Sequence, residues 1–254
     1  MLRSRHLSKE SEMATLTEQV STSIDALTRE FEVIAHNLAN VSTVGFKRRS
    51  NAFSKSLETQ APESYSPGTI DLNSTLDFSQ GSVVETGRPL DFALYGKGFF
   101  VIETPDGPLY TRNGTFFTSP NGQIVDSLAR LVAGQAGPIT IPNNVGTSQL
   151  SVASDGTISA GGAAIGKFRL VDFRDDQDKL VSAGESCYRM PDANVAPVPA
   201  ERIAVKQGYQ EASNVEIMDE LVDMILVCRL YEANMKSLTA QREASSSLTS
   251  VAMG

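Results

Sequence analysis

Few side chains in this sequence could carry out chemistry, and they are widely separated. The chain has two histidines, His6 and His36, and two cysteines, Cys187 and Cys228. A zinc site or a nucleophile with its base needs several such groups at one point, and each of these residues stands alone in its stretch of sequence. The sequence therefore predicts no catalytic residue and no metal site, and Cys228 is expected to be a small apolar helix residue.

Three short segments resemble fragments of ligand sites. Gly96-Lys97-Gly98 lacks the full GxxxxGK[ST] pattern of a nucleotide-binding loop and no helix signal follows it, which favours a glycine bulge between strands. The run from Asp175 to Asp178 lacks the alternating ligands and closing Glu of a calcium loop, which favours a solvated turn. The triplet Lys47-Arg48-Arg49 is expected to be a solvated basic patch. We therefore expect no cofactor and no enzymatic activity.

The composition argues against two further classes of partner. The net charge is -8 and the pI is about 4.9, which argues against binding to a phosphate backbone, so we expect no nucleic-acid partner. No apolar run is long enough for a transmembrane segment. The basic N-terminal segment lacks the apolar stretch of a cleaved secretory signal. One interpretation is that translation starts at Met13.

The C-terminal segment, residues 213–248, predicts a long amphipathic helix. It contains no Gly or Pro, and Ser213 with Glu216 matches a capping box at its start. Its apolar residues recur in steps of three and four and cover more surface than one partner helix needs. The main apolar stripe consists of Met218, Leu221, Ile225, Cys228, Tyr231, Met235 and Leu238, and Val222, Leu226 and Leu230 form an adjacent stripe.

A second amphipathic helix is predicted from Thr15 to Asn40, with Thr15 and Glu18 as its capping box. Its apolar residues alternate steps of four and three, as at the a and d positions of a coiled coil. The pattern leaves two possibilities open, an antiparallel helix pair within one chain and packing between chains. The apolar positions are Val20, Ile24, Leu27, Phe31, Ile34, Leu38 and Val41.

The middle of the chain is rich in glycine and in short strand-like runs. Asn113-Gly114, Asn121-Gly122 and Asp155-Gly156 are typical of tight hairpin turns, which favours an antiparallel all-β domain. We predict an α+β fold with discontinuous N- and C-terminal helices and a central antiparallel all-β domain that lies between them in sequence. The predicted parts are a disordered leader at 1–14, paired helices at 15–45 and 208–250, an extended connector at 46–78 and the β domain at 79–207.

Three motifs resemble those of the flagellar rod and hook protein family. They are Asn37-Leu-Ala-Asn-Val-Ser-Thr-Val-Gly-Phe-Lys-Arg, Tyr110-Thr-Arg-Asn-Gly-Thr-Phe, and Ser213-Asn-Val followed by Arg229, Tyr231-Glu and Asn234. Their order and separation are those of the family, and they extend over nearly the whole chain. Segments such as Arg88-Pro-Leu-Asp-Phe-Ala-Leu and Gly166-Lys-Phe-Arg-Leu-Val resemble the proximal rod subunits more than the distal ones.

The resemblance implies a structural subunit of the bacterial flagellar basal-body rod, which spans the periplasm. The discontinuous N- and C-terminal helices would pair as a coiled coil and form the inner layer of a helical tube, and the β domain would face outward. The implied partners are further copies of the chain, other rod subunits and the flagellar type III export apparatus, with export that uses no cleaved signal peptide. The alternatives are a distal rod or hook-type subunit of the same family and, from a different class, a secreted β-domain binding protein such as an adhesin.

The assembly interface is expected on the two helices. Asn37 and Asn40 are expected to be polar positions that fix the register of the helix packing, although Asn40 fits a helix cap equally well. The expected interface residues are Ile24, Leu27, Phe31, Ile34, Asn37, Leu38, Asn40, Met218, Leu221, Ile225, Tyr231, Asn234, Met235 and Leu238.

Overall fold

The computed structural model describes the backbone of residues 2–50 and 75–253, and the side chains of residues 20–50, 75–243 and 246–247. Most of the predicted connector, 46–78, lies outside the described residues. The chain divides into two compact units. The helical unit comprises residues 1–38, 49–75 and 216–254, and the β unit comprises residues 39–48 and 76–215.

Two long antiparallel helices make up the described core of the helical unit. Helix α1 spans Leu2–Ala39 and helix α2 spans Ile217–Met253. The helices run in opposite directions, because Ser23 contacts Asn234 whereas the later Asn37 contacts the earlier Glu220. The prediction of N- and C-terminal helices is confirmed. The buried residues between the helices are Leu27, Ile34 and Val227, with Met224 and Leu230 packed against them.

Both helices begin at different residues from those predicted. Helix α1 begins at Leu2 rather than at Thr15, so it includes residues 2–14, which the sequence analysis assigned to a disordered leader. That segment contains no Gly or Pro and has several Leu, Arg, Lys and Glu residues, which continue a helix readily. Helix α2 begins after the predicted cap, because the Ser213 hydroxyl accepts a hydrogen bond from the Val215 N–H in a local turn at 3.2 Å.

The strands are short, and most belong to the β unit. Two 3-10 helices, Thr147–Gln149 and Arg174–Lys179, lie among them. The strands are β1 Arg49–Ser50, β2 Thr75–Leu76, β3 Val83–Glu85, β4 Phe92–Gly96, β5 Phe99–Glu103, β6 Leu109–Thr111, β7 Phe117–Thr118, β8 Ile124–Val125, β9 Leu131–Gly134, β10 Gly137–Pro138, β11 Leu150–Val152, β12 Thr157–Ala160, β13 Ala163–Lys167, β14 Leu170–Asp172, β15 Val181–Gly184, β16 Cys187–Arg189, β17 Val198–Pro199, β18 Ile203–Gln207 and β19 Tyr209–Glu211.

The sheets of the β unit are antiparallel, as predicted. The largest has the order β15-β16-β6-β5-β9-β8-β7, with β10 paired to β9, and β14 paired to β5 and β17. Strands β11, β12 and β13 form a second sheet, while β18 pairs with β4 and β19 pairs with β3. Because β19 pairs with β3, residues 208–215 belong to the β unit and not to the C-terminal helix, where the prediction placed them.

Strand β5 separates two apolar clusters, because successive side chains of a strand point to opposite faces of the sheet. Phe100 and Ile102 belong to a cluster that contains Phe92, Phe116 and Phe168, and Phe99 and Val101 belong to a second cluster. Both faces of the central strand are therefore covered. The second cluster also contains Tyr110, Ala133, Val171, Phe173, Leu180 and Tyr188, with Phe78 packed against it.

Candidate assembly interface and buried polar contacts

The predicted interface residues of α1 are divided between buried and exposed positions. Leu27 and Ile34 are buried against α2, whereas Ile24 and Leu38 are half-buried. Phe31 is 42% exposed although it lies in the same heptad pattern. Only part of the predicted stripe of α1 is therefore covered by α2 of the same chain.

The main apolar stripe of α2 is largely exposed in the single chain. Met218 is 75% exposed, Ile225 is 55% exposed and Leu221 is 39% exposed, and Tyr231 and Met235 are exposed to a similar degree as Leu221. Asn234 and Leu238 are half-buried. The stripe that the sequence analysis identified is thus mostly open to solvent within one chain, and a surface of this kind marks an interaction site.

A different set of residues on α2 faces α1. Met224, Val227 and Leu230 supply its apolar contacts, and the Nδ2 group of Asn234 donates a hydrogen bond to the Ser23 hydroxyl at 3.3 Å. The sequence analysis placed Leu230 in the adjacent stripe and Asn234 in the expected interface, but it did not select Met224, Val227 or the buried Glu220 for this face.

An apolar groove of about 490 Å³ lies along the helix pair. Its walls include the exposed ring of Phe31 on α1 and the exposed Tyr231 on α2, with the buried Leu27 and Val227 below them. The groove is continuous with the exposed stripe, since Tyr231 belongs to both. Its remaining lining residues are Thr28, Cys228 and Glu232.

Asn37 is a buried polar contact between the two helices. Its Oδ1 accepts the Arg49 N–H at 2.9 Å, and its Nδ2 donates to the Arg49 carbonyl at 2.8 Å. The same Nδ2 lies 3.2 and 3.3 Å from the two carboxylate oxygens of Glu220, which is buried at the start of α2. This contact ties the end of α1 to the first turn of α2 and supports the expected role of Asn37 in register.

Asn40 makes a local contact instead. It follows the last residue of α1, its carbonyl accepts the Thr43 N–H at 3.0 Å, and its Oδ1 accepts the Thr43 hydroxyl at 3.2 Å. These contacts fit the helix-cap alternative.

The β unit contains a buried ion triad that the sequence analysis missed. Lys47 Nζ lies 2.6 Å from Glu211 Oε1, and Arg112 Nε lies 3.0 Å from Glu211 Oε2. The exposed fraction of each side chain is between 0% and 4%. The expectation that Lys47 belongs to a solvated basic patch is therefore wrong, because its aliphatic stem and ammonium group are enclosed by the β unit.

Further hydrogen bonds satisfy both cations of the triad. Lys47 Nζ donates to the Ser79 carbonyl at 2.6 Å, and one terminal nitrogen of Arg112 donates to the carbonyls of Gly96 and Gly98 at 2.9 and 2.7 Å. Burial is the largest influence on both cations and lowers the pKa of Lys47 and of Arg112, while the Glu211 carboxylate opposes that shift. The Gly96-Lys97-Gly98 segment thus joins β4 to β5 and supplies acceptors to Arg112.

The histidine, cysteine and acidic residues considered in the sequence analysis do not come together at one site in the described residues. His36 lies on α1, where burial and then the charge of Arg49 lower its pKa. Cys187 is buried beside Arg130, and burial raises the pKa of its thiol. Asp176 pairs with Lys179 at 2.7 Å in the 3-10 helix. Among the described side chains, those of residues 20–50, 75–243 and 246–247, there is no cluster that could hold a metal ion. No helix in the described part of the chain is long and apolar enough to span a membrane.

The chain is thus of the α+β class, with an antiparallel helix pair that carries an exposed apolar stripe and an antiparallel β unit. Comparison with known proteins specifies that class. Residues 93–160 match the family model described as the flagellar hook protein FlgE/F/G D1 domain, and residues 206–251 match the flagellar basal body rod FlgEFG protein C-terminal model. The chain belongs to the flagellar basal-body rod protein family.

Individual relatives match over most of their length. The chain is 34% identical to the flagellar basal-body rod protein FlgF of Caulobacter vibrioides, with 87% of this chain and 91% of that protein covered. It is 33% identical to FlgG of Buchnera aphidicola, with 86% and 92% covered. It is also 33% identical to FlgF of Salmonella typhimurium, with 83% and 87% covered.

Proposed function

We propose that this protein is a structural subunit of the bacterial flagellar basal-body rod, in its proximal part, and that its terminal helices build the inner layer of the rod. The observation that carries this proposal is the exposed apolar stripe of α2, of which Met218, Leu221 and Ile225 are the most N-terminal members. A contiguous exposed apolar surface on the helix of a soluble protein marks a site that a partner covers. In a rod, that partner is the helix pair of a neighbouring subunit.

The position of the stripe suits a helical assembly. Its N-terminal members Met218, Leu221 and Ile225 are not among the residues of α2 that pack against α1, so they are available to a neighbour. In a rod the stripe packs against a different surface of the neighbouring subunit, because such head-to-tail interfaces build open tubes rather than closed dimers. Within each subunit we propose that α1 and α2 pair as a coiled coil whose register Asn37 fixes through Glu220.

The partners and location follow from this role. The subunit contacts further copies of itself and other rod subunits, it is exported by the flagellar type III apparatus without a cleaved signal peptide, and it resides in the basal body. Its β unit faces outward. The role requires no catalytic group, no cofactor and no nucleic acid, and it is a mechanical role rather than an enzymatic one.

A deletion strain that is complemented by a tagged subunit tests the proposal. The turn at Gly161-Gly162 joins two strands and is exposed, so it is a suitable place for an epitope. We expect purified basal bodies to contain the epitope at the proximal part of the rod, and the deletion to abolish hooks and motility. Labelling at the distal rod or the hook would support the alternative positions within the family. A tagged protein found as a folded monomer outside cells with intact hooks would support a secreted binding protein and would refute the proposal.

A further inference from the structure

We infer that Lys47, Arg112 and Glu211 form a latch that holds together the chain segment following α1 and the chain segment preceding α2. Lys47 comes from the first of these segments and Glu211 from the second, while Arg112 follows β6 in the middle of the sequence. The carboxylate of Glu211 is the group that joins them. The latch lies wholly within the β unit.

The backbone around the triad shows that the two segments are in direct contact. The Gly45 N–H donates to the Glu211 carbonyl at 2.8 Å, and the Arg48 N–H donates to the Asn214 side-chain oxygen at 2.7 Å. Gly45 has a φ of +67°, and a Cβ on it would lie 2.4 Å from the Asn113 backbone nitrogen. Only glycine fits there without strain. The first segment therefore passes tightly between the turn after β6 and the second segment.

The triad also fixes a third segment, residues 77–79. Lys47 donates to the Ser79 carbonyl, and Asn214 Nδ2 donates to the Asp77 carbonyl at 2.9 Å. Phe78 lies between these two anchors and meets the rings of Phe99 and Tyr188 edge-on, at centroid distances of 5.4 and 5.1 Å. Opening the latch should therefore release residues 43–48, 77–81 and 209–215 together.

The charges of the triad make Glu211 the residue on which the latch depends. Two cations and one anion are enclosed, so the removal of the negative charge leaves Lys47 and Arg112 facing each other as buried, unpaired cations. The removal of Lys47 instead leaves a neutral pair of Arg112 and Glu211. Changes at Glu211 and at Lys47 should therefore have unequal effects, although both delete one member of the same ion pair.

The segments of the latch lie outside the first apolar cluster of the β unit. None of residues 43–48, 77–81 and 209–215 belongs to the cluster that contains Phe100 and Ile102, whereas Phe78 packs against the second cluster. The latch can therefore open while the core of the β unit stays folded, as local opening of a cooperative segment does in other proteins. The latch therefore holds the two segments together only when the β unit is folded.

Hydrogen exchange of the full-length protein, measured by mass spectrometry, tests the latch. In Glu211→Gln we expect amide protection to fall by about a hundredfold or more in residues 43–48, 77–81 and 209–215, because breaking a buried pair leaves charge unpaired, while β5 keeps its protection. Lys47→Met is the matched variant, because it leaves the neutral pair of Arg112 and Glu211. In this variant we expect a loss of amide protection that is about tenfold smaller than in Glu211→Gln.

Three results would overturn the inference. The first is unchanged protection of the three segments in Glu211→Gln. The second is an equal loss of protection in these segments and in β5, which would mean that the triad is part of the core and not a latch. The third is a larger loss of protection in Lys47→Met than in Glu211→Gln. The measurement uses unassembled protein, so its outcome is independent of the proposed role in the rod.

Discussion

Replacing Leu221 and Ile225 by Asp should leave the isolated subunit folded and prevent it from entering the rod. The two residues are 39% and 55% exposed, so the single chain gains only part of the free energy that their burial offers. The buried fractions, 61% and 45%, are worth about 1.6–3.2 kcal/mol in total, which is less than the free energy of unfolding of a typical domain.

The effect on assembly follows from the area that is still exposed. Full burial of a Leu or Ile side chain is worth about 1.5–3 kcal/mol, so exposed fractions of 39% and 55% leave about 1.4–2.8 kcal/mol to be gained by the pair in the rod. That free energy corresponds to about a 10- to 100-fold change in the affinity of each subunit contact. Burying two carboxylates in its place adds a further desolvation penalty.

The assay compares motility and purified basal bodies with the thermal unfolding of the isolated variant. The matched control is Ala233→Asp with Ser237→Asp, which adds the same charge at two exposed positions of α2 that have the same spacing but lie outside the main stripe. We expect hooks and motility to be lost only in the Leu221 and Ile225 variant. Normal rods in that variant, or unfolding of the isolated chain, would refute the reasoning.

Three further outcomes follow from the structure. Asn37→Ala should lower the stability of the helix pair by about 1–3 kcal/mol, because its hydrogen bonds to the Arg49 backbone and to Glu220 are lost. Asn40→Ala should lower the stability less, and equal losses measured by circular dichroism would contradict the register role of Asn37. A fragment of residues 39–215 should unfold cooperatively at a higher temperature than one of residues 79–207, which keeps β18 but lacks Lys47, Glu211 and β19. Equal melting temperatures would contradict this boundary. Hydrogen bonds from Lys167 and Thr157 lower the pKa of Asp155 to about 2. The contribution of Asp155 to stability is therefore present above its ordinary pKa of 3.8 and is lost as the pH falls through about 2. NMR titration of Asp155 should show this midpoint, and Lys167→Met should raise it.

Periodicity in the sequence predicted the helices and part of their contact. The a/d pattern of α1 correctly identified Leu27 and Ile34 as buried residues. On α2 the same logic selected the exposed stripe, because it counts apolar residues and treats polar ones as solvated. The face toward α1 includes the buried Glu220, whose carboxylate is compensated by Asn37 from the other helix, and no local pattern in α2 reports that partner.

The β unit shows the same limit. Turn dipeptides such as Asp155-Gly156 predicted its antiparallel character, and Gly156 has a φ of +86° in the connection between β11 and β12. The triad left no comparable signal, because Lys47, Arg112 and Glu211 are brought together only by strand pairing between distant segments. A buried charge is recognisable in a sequence only when its partner is known.

The central claim is that a neighbouring subunit covers the exposed stripe of α2, and oxidative footprinting of its methionines tests this most directly. Met218 is 75% exposed and Met235 is 38% exposed in the single chain, whereas Met224 is half-buried against α1. Mass spectrometry should show that Met218 and Met235 are oxidised readily in the isolated subunit and are protected in purified rods, with little change at Met224. Equal oxidation of Met218 and Met235 in both states would show that the stripe stays exposed in the rod and would contradict the account.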